Sequence, residues 1–246
     1  MNNSIYEDIF HLGTSECDFK GLWKISSIAE ALQNTANTHS RNLFTWQNEL
    51  EKSNLSWVLS KSSITIERYA CLGETISVKT YTKGVRALYC PRYFVVYDEN
   101  RNIIARAGSL MNLIDCTSRK ALSPTEVGIV IPEANNIESA IRIPLRKRDV
   151  LGNKKVFLYK PHYSDIDVNG HVNNARYLDW ICNAFGFDVL EQYEIENVTV
   201  DYIIEVLPNE SIEMTLITDE AGHQFRFFGC KKEKIAFDIF GTLRAK

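Results

Sequence analysis

A chain of 246 residues holds one large domain or two small ones, and 45% hydrophobic against 24% charged side chains is the balance of a globular protein with a sizeable core. The formal net charge of −3 excludes a nucleic-acid binder that works through bulk positive charge, while leaving room for a local basic patch facing an acidic partner.

The first strand is expected over Ile5 to Leu12. Ile25, Ile28, Ala29, Leu32 and Ala36 then recur with the period of a helix, and a second, shorter helical stretch is expected over Leu43 to Lys52. Leu55 to Tyr69 is β-branched and alternates around Ile64 and Ile66, and Gly73 breaks it. Strands follow at Thr75 to Thr82, Ala87 to Tyr97 and Ile103 to Asp115, the last two joined by a turn over Asp98 to Asn102. From Cys116 to Asp149 the periodicity fades and Pro124, Pro132 and Pro144 appear. That stretch reads as a connector that carries a short helix or packs across a surface.

The second half repeats the order. A strand over Val156 to Tyr163 leads into a polar junction, then a helix with Val172, Ala175, Leu178, Cys182 and Phe185 on one face. Strands are expected at Glu196 to Val206, Ser211 to Asp219, Gln224 to Cys230 and Lys234 to Arg244. Ile64-Thr65-Ile66 echoes Val198-Thr199-Val200, and Ile104-Ala105 echoes Ile235-Ala236, as an internal duplication would leave them. One strand, one long helix and a run of antiparallel strands make an α+β class and not alternating βαβ units. The expected division is residues 1–117, a connector over 118–153, and residues 154–246.

The junction carries the chemistry. Asp165, Asp167, Asn169, His171, Asn173 and Asn174 fall within eleven residues of Ser164, poor material for a core and good material for a site. Gly170 lets the backbone approach a ligand closely, and a helix starting near Val172 would present N–H groups with partial positive charge to a carbonyl oxygen. In the first half, Glu16-Cys17-Asp18-Phe19-Lys20-Gly21-Leu22 stands in the same place, but Lys20 replaces Asn169 and Leu22 replaces His171. Only the second half holds the full polar set.

This run resembles the Asp-x-Asn-x-His-Val-Asn-Asn-x-x-Tyr signature of acyl-ACP thioesterases, which release fatty acids from acyl carrier protein. The resemblance implies a tandem (double) hotdog, two long helices each wrapped by a curved antiparallel sheet. The first unit would shape an acyl pocket and the second would carry catalysis. It implies catalytic roles for Asp167, Asn169 and His171, and for Glu205, which follows Tyr202 where the family has its Glu. Val206 stands where plant members have a Cys, which excludes a cysteine nucleophile there. Glu205 is then the base for water, His171 shares or relays the proton, Asn169 orients the water or binds the carbonyl oxygen, and Asp167 holds His171 or Asn169 in place. Asp167 as a covalent nucleophile is the alternative within the same site. Gly170, Val172, Asn173, Asn174 and Arg176 are the candidate substrate contacts, and Arg176 is placed to meet a phosphopantetheine phosphate.

Each residue also has a plainer reading. Asp165, Asn173 and Asn174 are the types that form Asx-turns and helix caps, and a strand Glu is commonly just solvent-facing. Tyr177 and Trp180 read as helix packing, and Trp23, Trp46 and Trp57 as tunnel lining or ordinary core. Arg146-Lys147-Arg148, Lys154-Lys155 and Lys231-Lys232 are candidate docking clusters for an acidic carrier, or solvated surface.

Six scattered cysteines with no Cys-x-x-Cys pair give no support to a zinc site or a disulfide framework. The opening MNNSIYEDIFHL lacks a basic segment followed by an apolar one, and no run nears the roughly 18 apolar residues of a membrane span. A cytoplasmic chain is expected. Gly-x-Ser-x-Gly, nucleotide-binding glycine motifs and His-Glu-x-x-His are absent, so neither cofactor nor metal is expected. The partner implied is acyl carrier protein, with no nucleic acid and no membrane span; monomer and homodimer are both open. The alternatives are a hotdog thioesterase acting on acyl-CoA, and a non-catalytic acyl-thioester binding module.

Overall fold

The computed structural model describes residues 4–43, 53–145 and 149–246. The helix expected over Leu43 to Lys52 lies outside them except for Leu43, as do Trp46 and the cluster Arg146-Lys147-Arg148. The chain divides into two compact units, Met1–Trp23 with Glu30–Ile143 and Lys24–Ala29 with Pro144–Lys246.

The first unit contains strands β1 (Ile5–His11), β2 (Leu55–Ile66), β3 (Thr75–Thr82), β4 (Tyr89–Tyr97) and β5 (Ile103–Asp115). They pair antiparallel in the order β1-β3-β4-β5-β2, and a two-residue strand β6 (Ala121–Leu122) joins β5. Helix α1 (Ile25–Leu43) buries Ile25, Ile28 and Leu32 of the expected stripe together with Ala31, Thr35 and His39, while Ala29 and Ala36 are only half-buried. Near its C-terminal end, His39 stacks on Tyr6 of β1 and its Nδ1 meets the buried Arg92 guanidinium of β4 at 2.8 Å. Since guanidinium only donates, His39 Nδ1 accepts there.

Beyond β6 the described part of the connector has little regular structure; a single β-bridge there, Glu133 to Lys83, and a few side-chain contacts tie it to the sheet of the first unit. Tyr81 donates to the Glu138 carbonyl at 2.5 Å, Lys83 Nζ to that of Ala134 at 2.8 Å, and the Ile143 side chain sits 2.8 Å from where Gly108 would carry a Cβ.

The second unit contains β7 (Asn153–Tyr159), helices α2 (Arg176–Phe185) and α3 (Phe187–Gln192), β8 (Tyr193–Tyr202), β9 (Ile212–Thr218), β10 (Gln224–Lys231) and β11 (Lys234–Ala245). The order β7-β9-β10-β11-β8, all antiparallel, repeats the first unit strand for strand. α2 buries Tyr177, Leu178, Trp180, Ile181 and Phe185. Its aromatics meet the sheet at Tyr177–Phe237 (4.8 Å between centroids) and Phe185–Phe225 (5.2 Å). Each large side chain so buried is worth about 1.5–3 kcal/mol. Gly229 makes room: a Cβ there would fall 2.2 Å from the Phe237 ring.

Two boundaries differ from the sequence reading for a local reason. α2 begins at Arg176 and not near Val172, because Val172 is held in a β-bridge to Ile166. α3 is missed altogether, because it is only six residues long and Gly186, at φ 82°, separates it from α2. The internal echoes also shift. Glu67 and Arg68 both donate to the Ile104 carbonyl, as Ile203 and Ile204 both donate to that of Ala236. The true equivalences are therefore Ile104 with Ala236 and Ile66 with Tyr202, not those suggested by local similarity.

One buried ion pair dominates the polar interior of this unit. Asp238 is 0% exposed and takes two hydrogen bonds from Arg226, at 3.0 and 2.8 Å. Asp238→Ala should cost about 3–5 kcal/mol, because it leaves the guanidinium without its buried counter-charge. Urea denaturation reads this directly, and a loss below about 1 kcal/mol would show that water reaches Arg226 at little cost.

Candidate active site

The polar junction folds into a tight loop. Ile166 and Val172 bridge its base; the Asp167 N–H donates to the His171 carbonyl at 2.9 Å and Gly170 N–H to that of Asp167 at 3.0 Å. Asp167 Oδ1 accepts the Asn169 N–H at 2.8 Å and Oδ2 the Asn169 side-chain amide at 3.3 Å. Gly170 sits at φ 79°, which a side chain would strain.

The first-half loop is its copy. Cys17 bridges Trp23, Asp18 N–H donates to Leu22 O at 2.7 Å, Gly21 N–H to Asp18 O at 3.0 Å, and Asp18 Oδ1 accepts the Lys20 N–H at 2.8 Å. Gly21 has φ 72°. An Asp thus closes this loop whether or not a His and an Asn are present, and Asp167 makes the same loop-closing bonds as Asp18.

Glu205 reaches the loop from the segment after β8. The sequence reading places it within a strand, but β8 ends at Tyr202. The paired bonds of Ile203 and Ile204 to one carbonyl form a bulge that re-aims Glu205 and Val206. The Val206 carbonyl accepts the Val172 N–H at 2.9 Å, and Lys231, ion-paired with Glu210, donates to the Glu205 carbonyl at 3.4 Å. Together these bring Glu205 Oε2 to 3.7 Å from His171 Nε2, with the side chains 38% and 30% exposed. The strand-face reading of Glu205 is therefore replaced by a carboxylate aimed at the imidazole.

The remaining candidates divide. Asp165 is buried and accepts from Tyr159 O–H (2.8 Å), His162 N–H (2.7 Å) and Trp180 Nε1 (3.3 Å), the capping arrangement of its plainer reading. Asp165→Ala should cost about 2–4 kcal/mol by leaving those donors unmet, and thermal unfolding checks it. Asn173 accepts the Ala175 N–H at 2.9 Å and the Asn174 carbonyl accepts Tyr202 O–H at 3.1 Å, so both secure the start of α2. Arg176 pairs with Asp179 at 2.6 Å. Lys154 and Lys155 are exposed on β7, whereas Lys231 is engaged as described.

Tyr177, read from sequence as packing, is buried on α2 with its ring against Trp180, Tyr202 and Phe237. Burial, with Tyr202, Glu205 and Asp167 close by, pushes its phenol well above the ordinary tyrosine value. The signal available in the sequence is that it ends the signature run. Among the described residues no cluster of three or more His, Cys, Asp or Glu could hold a metal, and no helix is long and apolar enough to cross a membrane.

Comparison with known proteins fits this arrangement. The family model for the acyl-ACP thioesterase N-terminal domain matches residues 3–127, and that for the C-terminal domain matches residues 150–236. A chloroplastic acyl-[acyl-carrier-protein] hydrolase of Cuphea viscosissima is 28% identical over 90% of this chain, which spans 57% of that protein's length. A chloroplastic oleoyl-acyl carrier protein thioesterase of Arabidopsis thaliana is 23% identical over 88% of this chain and 65% of its own length. This chain thus spans less than two thirds of the length of those relatives. The crystal structure of an acyl-ACP thioesterase from Bacteroides thetaiotaomicron matches with a TM-score of 0.78 at 25% identity, covering 98% of both chains. The 12:0-ACP thioesterase of Umbellularia californica shares the fold, with a TM-score of 0.80 at 20% identity and 98% coverage of both. The fold class is α+β, with the hotdog architecture of those structures. On its own residues and on both halves of its length, the chain belongs to the acyl-ACP thioesterase family.

Proposed function

We propose that the chain hydrolyses fatty acyl-ACP to free fatty acid and ACP, with the active site in the second unit. The observation that carries this is the approach of Glu205 to His171 beside an Asp-closed loop presenting Asn169, a set the first-half loop lacks. Glu205 takes a proton from water while the water oxygen bonds to the thioester carbon. The tetrahedral intermediate then collapses, the C–S bond breaks, and the departing thiolate receives the proton through His171. Asn169 donates to the carbonyl oxygen as negative charge develops on it.

Asp167 holds the loop and does not attack. Its equivalence to Asp18, which closes a loop with no catalytic neighbours, supports that choice over the covalent alternative. A single turnover in ¹⁸O-water should place the label in the first fatty acid released. Unlabelled first product, with label entering Asp167, would establish the acyl-enzyme route instead.

The activity itself is tested by thiol release from acyl-ACP and acyl-CoA panels spanning C4 to C18. ACP-selective release supports the proposal. CoA-selective release keeps the chemistry and changes the carrier, and ligand binding without release makes the chain a binding module.

A further inference from the structure

Glu205 stands beyond the end of β8, where the sheet ladder no longer fixes the chain. Ile203 and Ile204 share the Ala236 carbonyl before it, and the Val206 carbonyl accepts from Val172 after it. Two side chains hold the segment further. Lys231 Nζ donates to the Glu205 carbonyl at 3.4 Å and lies 2.5 Å from Glu210 Oε2. Glu210 Oε2 accepts the Leu207 N–H at 2.9 Å, and the Glu210 N–H donates to the Leu207 carbonyl at 3.3 Å. Lys231 is the last residue of β10, and Lys232 and Glu233, at φ 47° and 66°, make the turn that follows it.

The first unit holds the matching segment in the same way with different residues. The Trp23 bond to Ala70 and the Val172 bond to Val206 set Tyr69 opposite Glu205, Cys71 opposite Leu207 and Glu74 opposite Glu210. Glu74 accepts the Cys71 N–H at 2.8 Å, as Glu210 accepts that of Leu207. The cation there is Arg68, which donates to the Tyr69 carbonyl at 3.2 Å and to both Glu74 oxygens at 2.9 Å. Arg68 stands opposite Ile204. Opposite Lys231 is Asp98, one residue past Tyr97, whose pairing with Ile103 matches that of Cys230 with Ile235. Asp98 itself meets Arg68 at 3.5 Å. Where the first unit has Arg68 and Asp98, the second thus has Ile204 and Lys231. The cation sits on the neighbouring strand in place of the segment itself, and the bridge from carbonyl to cation to carboxylate is the same.

We infer that Lys231 and Glu210 are positioning residues that fix the backbone of Glu205 so that its carboxylate faces His171, an inference that rests on the hydrolytic reading. With side chains 20% and 27% exposed, the pair is too open to water to stabilise the fold much. Its consequence is direction. Glu205 Oε2 stands 3.7 Å from His171 Nε2, and a misplacement of about 1 Å at a reacting group can cost about a hundredfold in rate. The bridge ends on the carbonyl of the very residue whose carboxylate must be aimed, and in the first unit the same carbonyl belongs to Tyr69, beside a loop that has neither the His nor the Asn.

The test is thiol release by Lys231→Met, alone and on a Glu205→Gln background, with Arg68→Met as the control that breaks the matching bridge in the first unit. Lys231→Met should lower kcat roughly ten- to hundredfold with KM little changed. Lys231→Arg should recover most of that loss, because a guanidinium makes both bonds in the first unit. Arg68→Met should leave kcat at the wild-type level, whatever it costs in unfolding temperature. On the Glu205→Gln background Lys231→Met should add nothing, since the carboxylate it aims is gone. Wild-type kcat in Lys231→Met, an equal fall in Arg68→Met, or a full further loss on the Glu205→Gln background would overturn the inference. Wild-type protein that releases no thiol from any acyl thioester defeats the hydrolytic reading itself. An active wild type matched by an equally active Lys231→Met defeats only the role of the bridge. Should Lys231→Met misfold, Glu210→Gln, which keeps an oxygen for the Leu207 N–H and removes the charge facing Lys231, carries the same readouts.

Discussion

Glu205→Gln should lower kcat on acyl thioesters by about two to four orders of magnitude while leaving KM close to its wild-type value. Glutamine keeps the length and planarity of the side chain, and the contacts that aim this segment are made by backbone atoms. The Ile203 and Ile204 N–H groups, the Glu205 carbonyl on Lys231 and the Val206 carbonyl on Val172 are all untouched by the change. What disappears is the ability to accept a proton from water. A uniform loss in binding would instead mean that the carboxylate holds substrate. Turnover within about tenfold of wild type would transfer the role of base to His171.

His171→Ala should cost about two to three orders of magnitude in kcat without unfolding the loop. The reason for expecting an intact loop is unusually direct, because the chain already contains the same loop with Leu22 at this position. Its closure depends on Asp18 or Asp167, on the glycine at positive φ and on the flanking bridge, none of which needs an imidazole. Unchanged thermal unfolding alongside the lost activity is therefore the expected pair of results. With the wild-type side chain 30% exposed, added imidazole should enter the variant and restore part of the rate. Failure of activity to fall would place the proton relay elsewhere.

The sequence exposes the candidate site unevenly. Asp167, Asn169 and His171 are legible because one short loop carries all three, so their proximity is guaranteed by chain connectivity. Glu205 is reached only through the family resemblance. Nothing local to Glu205 announces that a bulge after β8 will turn it from a strand face towards His171. Asp165, adjacent to the same loop and chemically identical to Asp167, serves Tyr159, His162 and Trp180, partners whose convergence no spacing rule predicts. Tyr177 reads as packing because an aromatic at helical spacing usually packs, and its ring does.

By itself the sequence determined the α+β class, the order of the longer strands and of α1 and α2, and the existence of two repeats, because periods of two and of 3.6 are properties of neighbouring residues on one segment. It also determined that the two junctions differ, since Lys20 and Leu22 are simply not Asn and His. The strand order within each sheet, the true register between the repeats, the path of the connector over Tyr81 and Gly108, and the meeting of Glu205 with His171 were decided by tertiary structure. Each depends on hydrogen bonds or packing between segments far apart in the chain, where which partners meet is settled only once the sheet has closed around its helix.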